Sequence, residues 1–344
     1  MRDEVVAVSA VLSATDFLRT PVLAVVDPTG FKEWQHFVIH GRGCHVLVNF
    51  SLAAHCSADG HHITPRVVVI AHDDRWTGKV ETYDDDAFEV SGDLANLVIG
   101  GNRMTVDTDG YLVRIELPGI TGELRFTATS QPFVVNNQPV GHGRMCWLFV
   151  PRLRADGRLT IGDRDHAFDA EYAYHDHNWG RFLWGDDFGW TWGTILPTES
   201  DEKWSMVFLQ MTDRRRLRFL SQALYVWYDH RPAAIFRHAA VTVRSHGSLR
   251  RPADCTLPPP MRLLLDGQVP GVPDRLEIDA ARGDDTVHVE FRPSSLARLA
   301  HPSEVALDRV TVLCETGGTA RMRGRIGGRD LDVTAAAMFE FLHG

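Results

Sequence analysis

The punctuation of this chain is what most narrows its fold. Short runs of aromatic and β-branched residues recur along it, each broken by Gly, Asp, Asn or Pro before it is long enough to make a helix. Glu33 to His40 turns at Gly41-Arg42-Gly43 into Cys44 to Phe50, a hairpin in outline, and Asp109-Gly110 joins Met104–Asp107 to Tyr111–Leu117 with a strong hairpin signal. Arg66–Ala71 and Glu123–Thr129 continue in the same style. Met145 to Val150 is an apolar run suited to a buried strand, and Ala155-Asp156-Gly157 is expected to turn it into Arg158–Ile161. Helical pieces are expected only in the first twenty residues, in Ser294–Ala300 and, as an alternative to a strand, in Ala335–Met338. The proline-rich Pro252–Pro260 reads as a loop. An all-β fold follows.

At 344 residues the chain has room for two ordinary domains or one unusually large barrel or sandwich. A long-range echo favours two. Glu33-Trp34-x-x-Phe37 with the run ending Val48–Leu52 is matched by Trp190–Leu196, a turn through Glu199–Glu202, and Trp204–Gln210. In both places a Trp-bearing strand opens a new up-and-down set. Two consecutive lipocalin-like antiparallel β-barrels or open sandwiches are expected, with domains over 1–187 and 188–344.

A formal charge of −9 argues against a phosphate-tracking surface and so against nucleic acid as a partner; Arg214-Arg215-Arg216 reads as a solvated hairpin tip. Five scattered cysteines without a C-x-x-C pair suit a reducing compartment. The N-terminal run from Val5 to Leu12 makes a poor signal peptide, and no window is long and apolar enough for a membrane span. A cytoplasmic protein is expected, and the sequence leaves its oligomeric state open.

The chemistry is concentrated in Tyr174-His175-Asp176-His177-Asn178-Trp179-Gly180, followed by Trp190-Thr191-Trp192-Gly193. On a strand, Tyr174, Asp176 and Asn178 share one face, and His175, His177 and Trp179 the other. The His-x-His pair could chelate a metal, but no third ligand follows at a usable spacing, and His61, His62 and His72 are remote. No metal site is therefore assigned. In the competing reading Asp176, desolvated by Tyr174, Trp179, Trp190 and Trp192, stays protonated as a general acid, while indole faces stabilise a developing cation. Architecture is the alternative for each residue: Asp and Asn near Gly shape turns, the histidines pack as satisfied polar groups, and the tryptophans fill core or pocket wall. Neither a Gly-x-Ser-x-Gly elbow nor a phosphate loop is present, and no cofactor is expected.

The central motif and its W-x-W-G continuation resemble the tandem lipocalin-like family (AttH-type domain) that includes carotenoid 1,2-hydratase (hydroxyneurosporene synthase). The continuation is closer to the branch of fungal lipocalin-like Diels–Alderases. Glu33-Trp34 resembles that family's opening motif, and the resemblance touches most of residues 30 to 196. Ala173 stands where the family has Gly, and Gln35-His36 replaces a Trp-Tyr, which changes the pocket wall and leaves substrate identity open.

The resemblance implies two barrels with an apolar pocket in or between them, acting without cofactor on a hydrophobic small molecule. Asp176 would take the acid's role with Tyr174 beside it, and His175 and His177 join them as catalytic candidates. Trp34, His36, Asn178, Trp190 and Trp192 are the candidate substrate-binding residues. Three functions follow: a pericyclase or Diels–Alderase-like cyclase acting on a polyene or polyketide of secondary metabolism, an isoprenoid alkene hydratase using Asp176, or a non-catalytic lipid or pigment carrier.

Overall fold

The computed structural model describes residues 12, 15–57, 60–197, 202–249, 271–306 and 308–343. After one short helix, α1 (Thr20–Val26), these residues are almost entirely strand and turn. The first run is β1 (Phe31–His40), β2 (His45–Ser57), β3 (Gly60–His72), β4 (Trp76–Thr82), β5 (Phe88–Val90) and β6 (Asn96–Ile99). It continues through β7 (Asn102–Asp107), β8 (Gly110–Leu117), β9 (Ile120–Ala128), β10 (Phe133–Val140), β11 (Gly143–Ile161) and β12 (Arg164–Arg181). The second run is β13 (Gly189–Leu196), β14 (Trp204–Thr212), β15 (Phe219–Tyr228), β16 (Arg231–Arg237) and β17 (Val241–His246), then β18 (Arg275–Arg282), β19 (Asp285–Pro302), β20 (Val310–Ile326) and β21 (Arg329–His343). No helix among the described residues is long and apolar enough to cross a membrane.

The chain divides into two compact units. The first comprises Met1–Asp73, Gly78–Gln138 and Gly143–Phe182; the second comprises Asp74–Thr77, Pro139–His142 and Leu183–Gly344. One antiparallel sheet runs β4-β3-β2-β1-β12-β11-β9-β8-β7-β6-β5 with β10 beside β11, and the other runs β16-β15-β14-β13-β21-β20-β19-β18-β17. Both obey a single plan. Four strands meander outward from the first, the chain jumps to the far edge, and it meanders back until the last strand pairs with the first. The sequence echo falls on β1 and β13, which hold the same place in their sheets. The fold is all-β and lipocalin-like, with one sheet a half-barrel.

Each sheet curls around its own apolar interior. In the first unit Phe37, Val48, Phe50, Val67, Val113, Leu124, Phe126, Leu148 and Val150 form one buried cluster. In the second, Ile195, Met206, Phe208, Leu224, Val289, Phe291, Phe339 and Phe341 do the same. Alternate residues of each strand supply these cores, as the two-residue period of a pleated strand requires.

Three sequence expectations are corrected. Ser294–Ala300 lies within β19, because pairing with β20 overrides its local helix propensity; Ala335–Met338 lies within β21, in line with the strand reading of that segment. Ala155–Gly157 is no turn: β11 runs on past it, opposite a register shift in which β12 carries one extra residue between Phe168 and Glu171, and the reversal comes after Ile161. Arg216, at the β14–β15 tip, points inward: it donates to the Gly271 carbonyl and Thr191 hydroxyl and lies over the Phe341 ring. Burial pushes its pKa down to about 10. Of the first twenty residues, Leu12, Thr15 and Thr20 are helical and 16–19 are not, while 1–11, 13 and 14, like Pro252–Pro260, lie outside the described residues.

The glycine of W-x-W-G has a packing reason. A Cβ on Gly193 would sit 2.4 Å from the Phe339 ring, which crosses β13 to stack on Phe291 at 4.4 Å between centroids. Gly193→Val should therefore cost roughly 1–3 kcal/mol through overpacking, read as a lower urea midpoint at unchanged m-value; an unchanged midpoint would show that Phe339 is not locked in place.

Candidate functional site

β12 lies between β1 and β11, and register fixes what meets on each face. Trp34 and Trp147 flank Asn178, His36 and Phe149 flank Asp176, and Val38 stands opposite Tyr174; these side chains share the face turned away from the unit's core. Glu33, Gln35 and Phe37 stand opposite Trp179, His177 and His175 on the other face. The alternation expected from sequence is present, and it separates the two sets of candidate catalytic residues.

On the outward face the Tyr174 hydroxyl donates to Asp176 Oδ2 at 2.9 Å, and the Asn178 amide donates to Oδ1. Asp176 is 3% exposed and its three aromatic neighbours Tyr174, Trp147 and Phe149 are buried. Trp34 is partly exposed and packs edge-on against Phe182 at 6.1 Å. Burial above all, with nearby His175 adding to it, pushes the pKa of His36 down to about 3, so its imidazole is neutral. Both side-chain oxygens of Asp176 thus accept hydrogen bonds on a face otherwise lined by rings.

The histidines point into the unit. His177 Nδ1 lies 2.6 Å from Asp16 Oδ1 and its Nε2 lies 2.7 Å from Glu33 Oε1. His175 contacts the His36 carbonyl at 3.0 Å and Asp16 Oδ2 at 3.1 Å, and its ring lies against Phe37 and Tyr111. Tyr111 donates to Asp16 at 2.5 Å. Glu33 also caps the chain leading into α1, accepting from the Arg19 and Thr20 backbone amides and the Thr20 hydroxyl.

Every oxygen facing these two imidazoles is an acceptor, so each ring nitrogen needs its own hydrogen. Burial opposes a charged His177, but the Asp16 carboxylate and the hydrogen bonds to Asp16 and Glu33 win and hold its pKa up at about 9. Burial likewise opposes the Asp16 charge, yet His177 and the histidine hydrogen bonds keep that carboxyl well below its usual range. Burial pushes His175 down, which leaves it one hydrogen for two acceptors. The contacts of His177 are shorter than those of His175, as charge-assisted bonds should be. This network ties residues 16–20 to β1 and β12.

Trp190 and Trp192, both buried, lie on β13 in the second unit, on the face away from that unit's core, where the Trp190 indole donates to Glu340. They and Asp176 therefore belong to different units. Sequence reasoning missed Asp16, Tyr111 and Glu340. Glu33 stood in the opening motif, but Asp16 had no local signal, because its partners lie some 160 residues away in the chain.

Two outcomes test the inner network. His177 contributes stability that is fully present below its ordinary pKa of 6.5 and is lost as pH rises through about 9. Unfolding free energy should thus fall across that window by on the order of 3 kcal/mol, and the slope should vanish in His177→Gln; a flat wild-type profile would rule out the imidazolium. Asp16→Asn, which leaves the His177 charge buried without its main partner, should cost about 3–5 kcal/mol in urea unfolding at pH 7.

No family model and no curated protein matches the chain. Solved structures do. An AttH-type protein (NE1406) of Nitrosomonas europaea superposes with a TM-score of 0.62 at 13% identity, covering 91% of this chain and 92% of that one. Kievitone hydratase from Nectria haematococca gives 0.57 at 12% identity over 92% and 89%. CghA with bound Sch210972 gives 0.58 at 12% over 92% and 89%. The chain thus carries the all-β, lipocalin-like fold shared by the AttH-type protein, kievitone hydratase and CghA.

Proposed function

We propose that the protein is a cofactor-independent cyclase of pericyclase type, acting on a hydrophobic polyene or polyketide intermediate of secondary metabolism bound against the Tyr174–Asp176–Asn178 face. The observation that carries this reading is the double acceptance at Asp176. A carboxylate whose oxygens are both engaged by Tyr174 and Asn178 orients its neighbours and is poorly placed to hand over a proton. Trp34, Trp147 and Phe149 offer an apolar wall, and neutral His36 brings one N–H of the kind that polarises a substrate carbonyl. Holding a flexible polyene near its reactive geometry lowers a barrier by roughly 7–11 kcal/mol in favourable cases. The fold shared with CghA, whose structure holds Sch210972, and with kievitone hydratase supports an enzyme of small-molecule metabolism.

A second reading, hydration of an isoprenoid alkene with Asp176 as the acid, draws support from the burial of that carboxyl among aromatic rings. One experiment separates the two. A linear polyene carrying a conjugated diene and an α,β-unsaturated ketone is incubated with the protein and followed by mass spectrometry; cyclisation leaves the mass unchanged, whereas hydration adds one water. For the cyclase, Asp176→Asn should keep activity within about tenfold, since only one charged contact is lost. A fall of ~10²–10⁴-fold, or a product heavier by water, would overturn the cyclase in favour of the hydratase.

A further inference from the structure

The run Arg214-Arg215-Arg216-Leu217-Arg218-Phe219-Leu220, at the tip between β14 and β15, interleaves arginines with large apolar residues. Leu217 is 78% exposed, Phe219 61% and Leu220 41%. A lone exposed apolar side chain is ordinary on a protein surface, but such a run of them marks a place where something docks. The tip is built to hold them out. The Asp213 backbone N–H donates to the Arg218 carbonyl, and its carboxylate accepts the Leu217 N–H at 2.8 Å and Arg218 Nε at 3.1 Å. Arg216 takes a left-handed φ of 58°, uncommon for a residue with a side chain. Its guanidinium goes inward to the Gly271 carbonyl, the Thr191 hydroxyl and the Phe341 ring, while Leu217, the next residue, faces solvent. Ser221 pairs with Met211 and Phe219 with Thr212, so Leu220 is the extra residue of a bulge, and it and its neighbour Phe219 are both exposed. Ordering that docking would otherwise have to supply is already in place.

The charges at the tip say what kind of surface it meets. Arg218 is matched by Asp213 and, at 3.6 Å, by Asp187. Arg214 gives its backbone N–H to Asp187, and the guanidinium groups of Arg214 and Arg215 have no partner among the described residues. On a chain of formal charge −9, two unmatched cations beside exposed Leu and Phe make a basic, apolar point on an acidic body. A partner protein would need a matching groove and a standard face of about 800 Å², which a hairpin tip alone does not cover. The headgroup region of a bilayer accepts protruding Leu and Phe side chains without shape matching and, where its lipids are anionic, attracts the arginines.

We propose that the β14–β15 tip docks the protein on the surface of anionic phospholipid bilayers, with Leu217, Phe219 and Leu220 entering the boundary between headgroups and acyl chains and Arg214 and Arg215 meeting lipid phosphates. The chain's net negative charge turns the rest of the molecule away from the same surface, so attraction is concentrated at the tip. Docking of this kind is peripheral and reversible. It serves a cyclase, a hydratase or a carrier alike, because each handles apolar molecules that partition into membranes.

Co-sedimentation of the full chain with vesicles of phosphatidylcholine mixed with phosphatidylglycerol tests this, with pure phosphatidylcholine vesicles as the control. The wild type should sediment with the anionic vesicles, more weakly with the control, and should be released as salt rises. Arg214→Ser with Arg215→Ser should weaken binding to the anionic vesicles roughly twentyfold, and Leu217→Ser with Phe219→Ser roughly hundredfold. Both double variants should keep the wild-type urea midpoint, since neither pair of side chains lies in the core, and that separates lost docking from lost fold. A wild type that stays in the supernatant with anionic vesicles, or a Leu217→Ser, Phe219→Ser variant that binds them as tightly as the wild type, overturns the proposal. So does a lipid-free dimer, seen by sedimentation velocity, that this variant dissociates while vesicles bind neither protein; the tip is then a contact between copies of the chain.

Discussion

The central strand of each unit is covered on both faces, and most of the structure answers to that constraint. Residues 172–178 of β12 and all of β13 are buried. A polar side chain placed there has no water to turn to, so it must find its partner inside the protein or hold a place for a ligand. His175 and His177 take the first course with Asp16, Glu33 and Tyr111. Tyr174, Asp176 and Asn178 satisfy one another on the opposite face. Thr194 on β13 and Gln35 on β1, next to β12, are among the buried side chains that find no such partner among the described residues.

The shared plan of the two sheets gives this pattern a common origin. In each, the returning last strand lies next to the first and brings a carboxyl to the outward face: Asp176 opposite His36, Glu340 opposite Trp192. Their surroundings then set them apart. Tyr174 and Asn178 donate to the two oxygens of Asp176, while burial pushes the Glu340 pKa up against its hydrogen bonds with Glu315 and Trp190.

Much of this was legible in the chain. Turn dipeptides such as Asp109-Gly110 marked real hairpins, the alternation of Tyr174 to Asn178 matched a real strand, and the Trp-bearing segments at 34 and 190 did open equivalent sheets. Errors came where local rules compete with pairing. Ser294–Ala300 suits a helix until pairing with β20 claims its backbone, and Ala155-Asp156-Gly157 has turn chemistry that serves equally well opposite a bulge in β12. Arg216 looked solvated because a run of arginines does, and nothing nearby announced the Phe341 ring it would cover.

Strand character, the order of the two sheets and the division of β12 into a histidine face and an aspartate face depend on residue type and a two-residue period, quantities that neighbouring residues carry. The meaning of each face depends on partners far along the chain. Asp16 gave two candidate catalytic histidines a buried partner in the N-terminal segment, and the pairing of β20 with β21 set Glu315 beside Glu340. Contacts of that range exist only once the sheets close, so no local reading of the chain could have contained them.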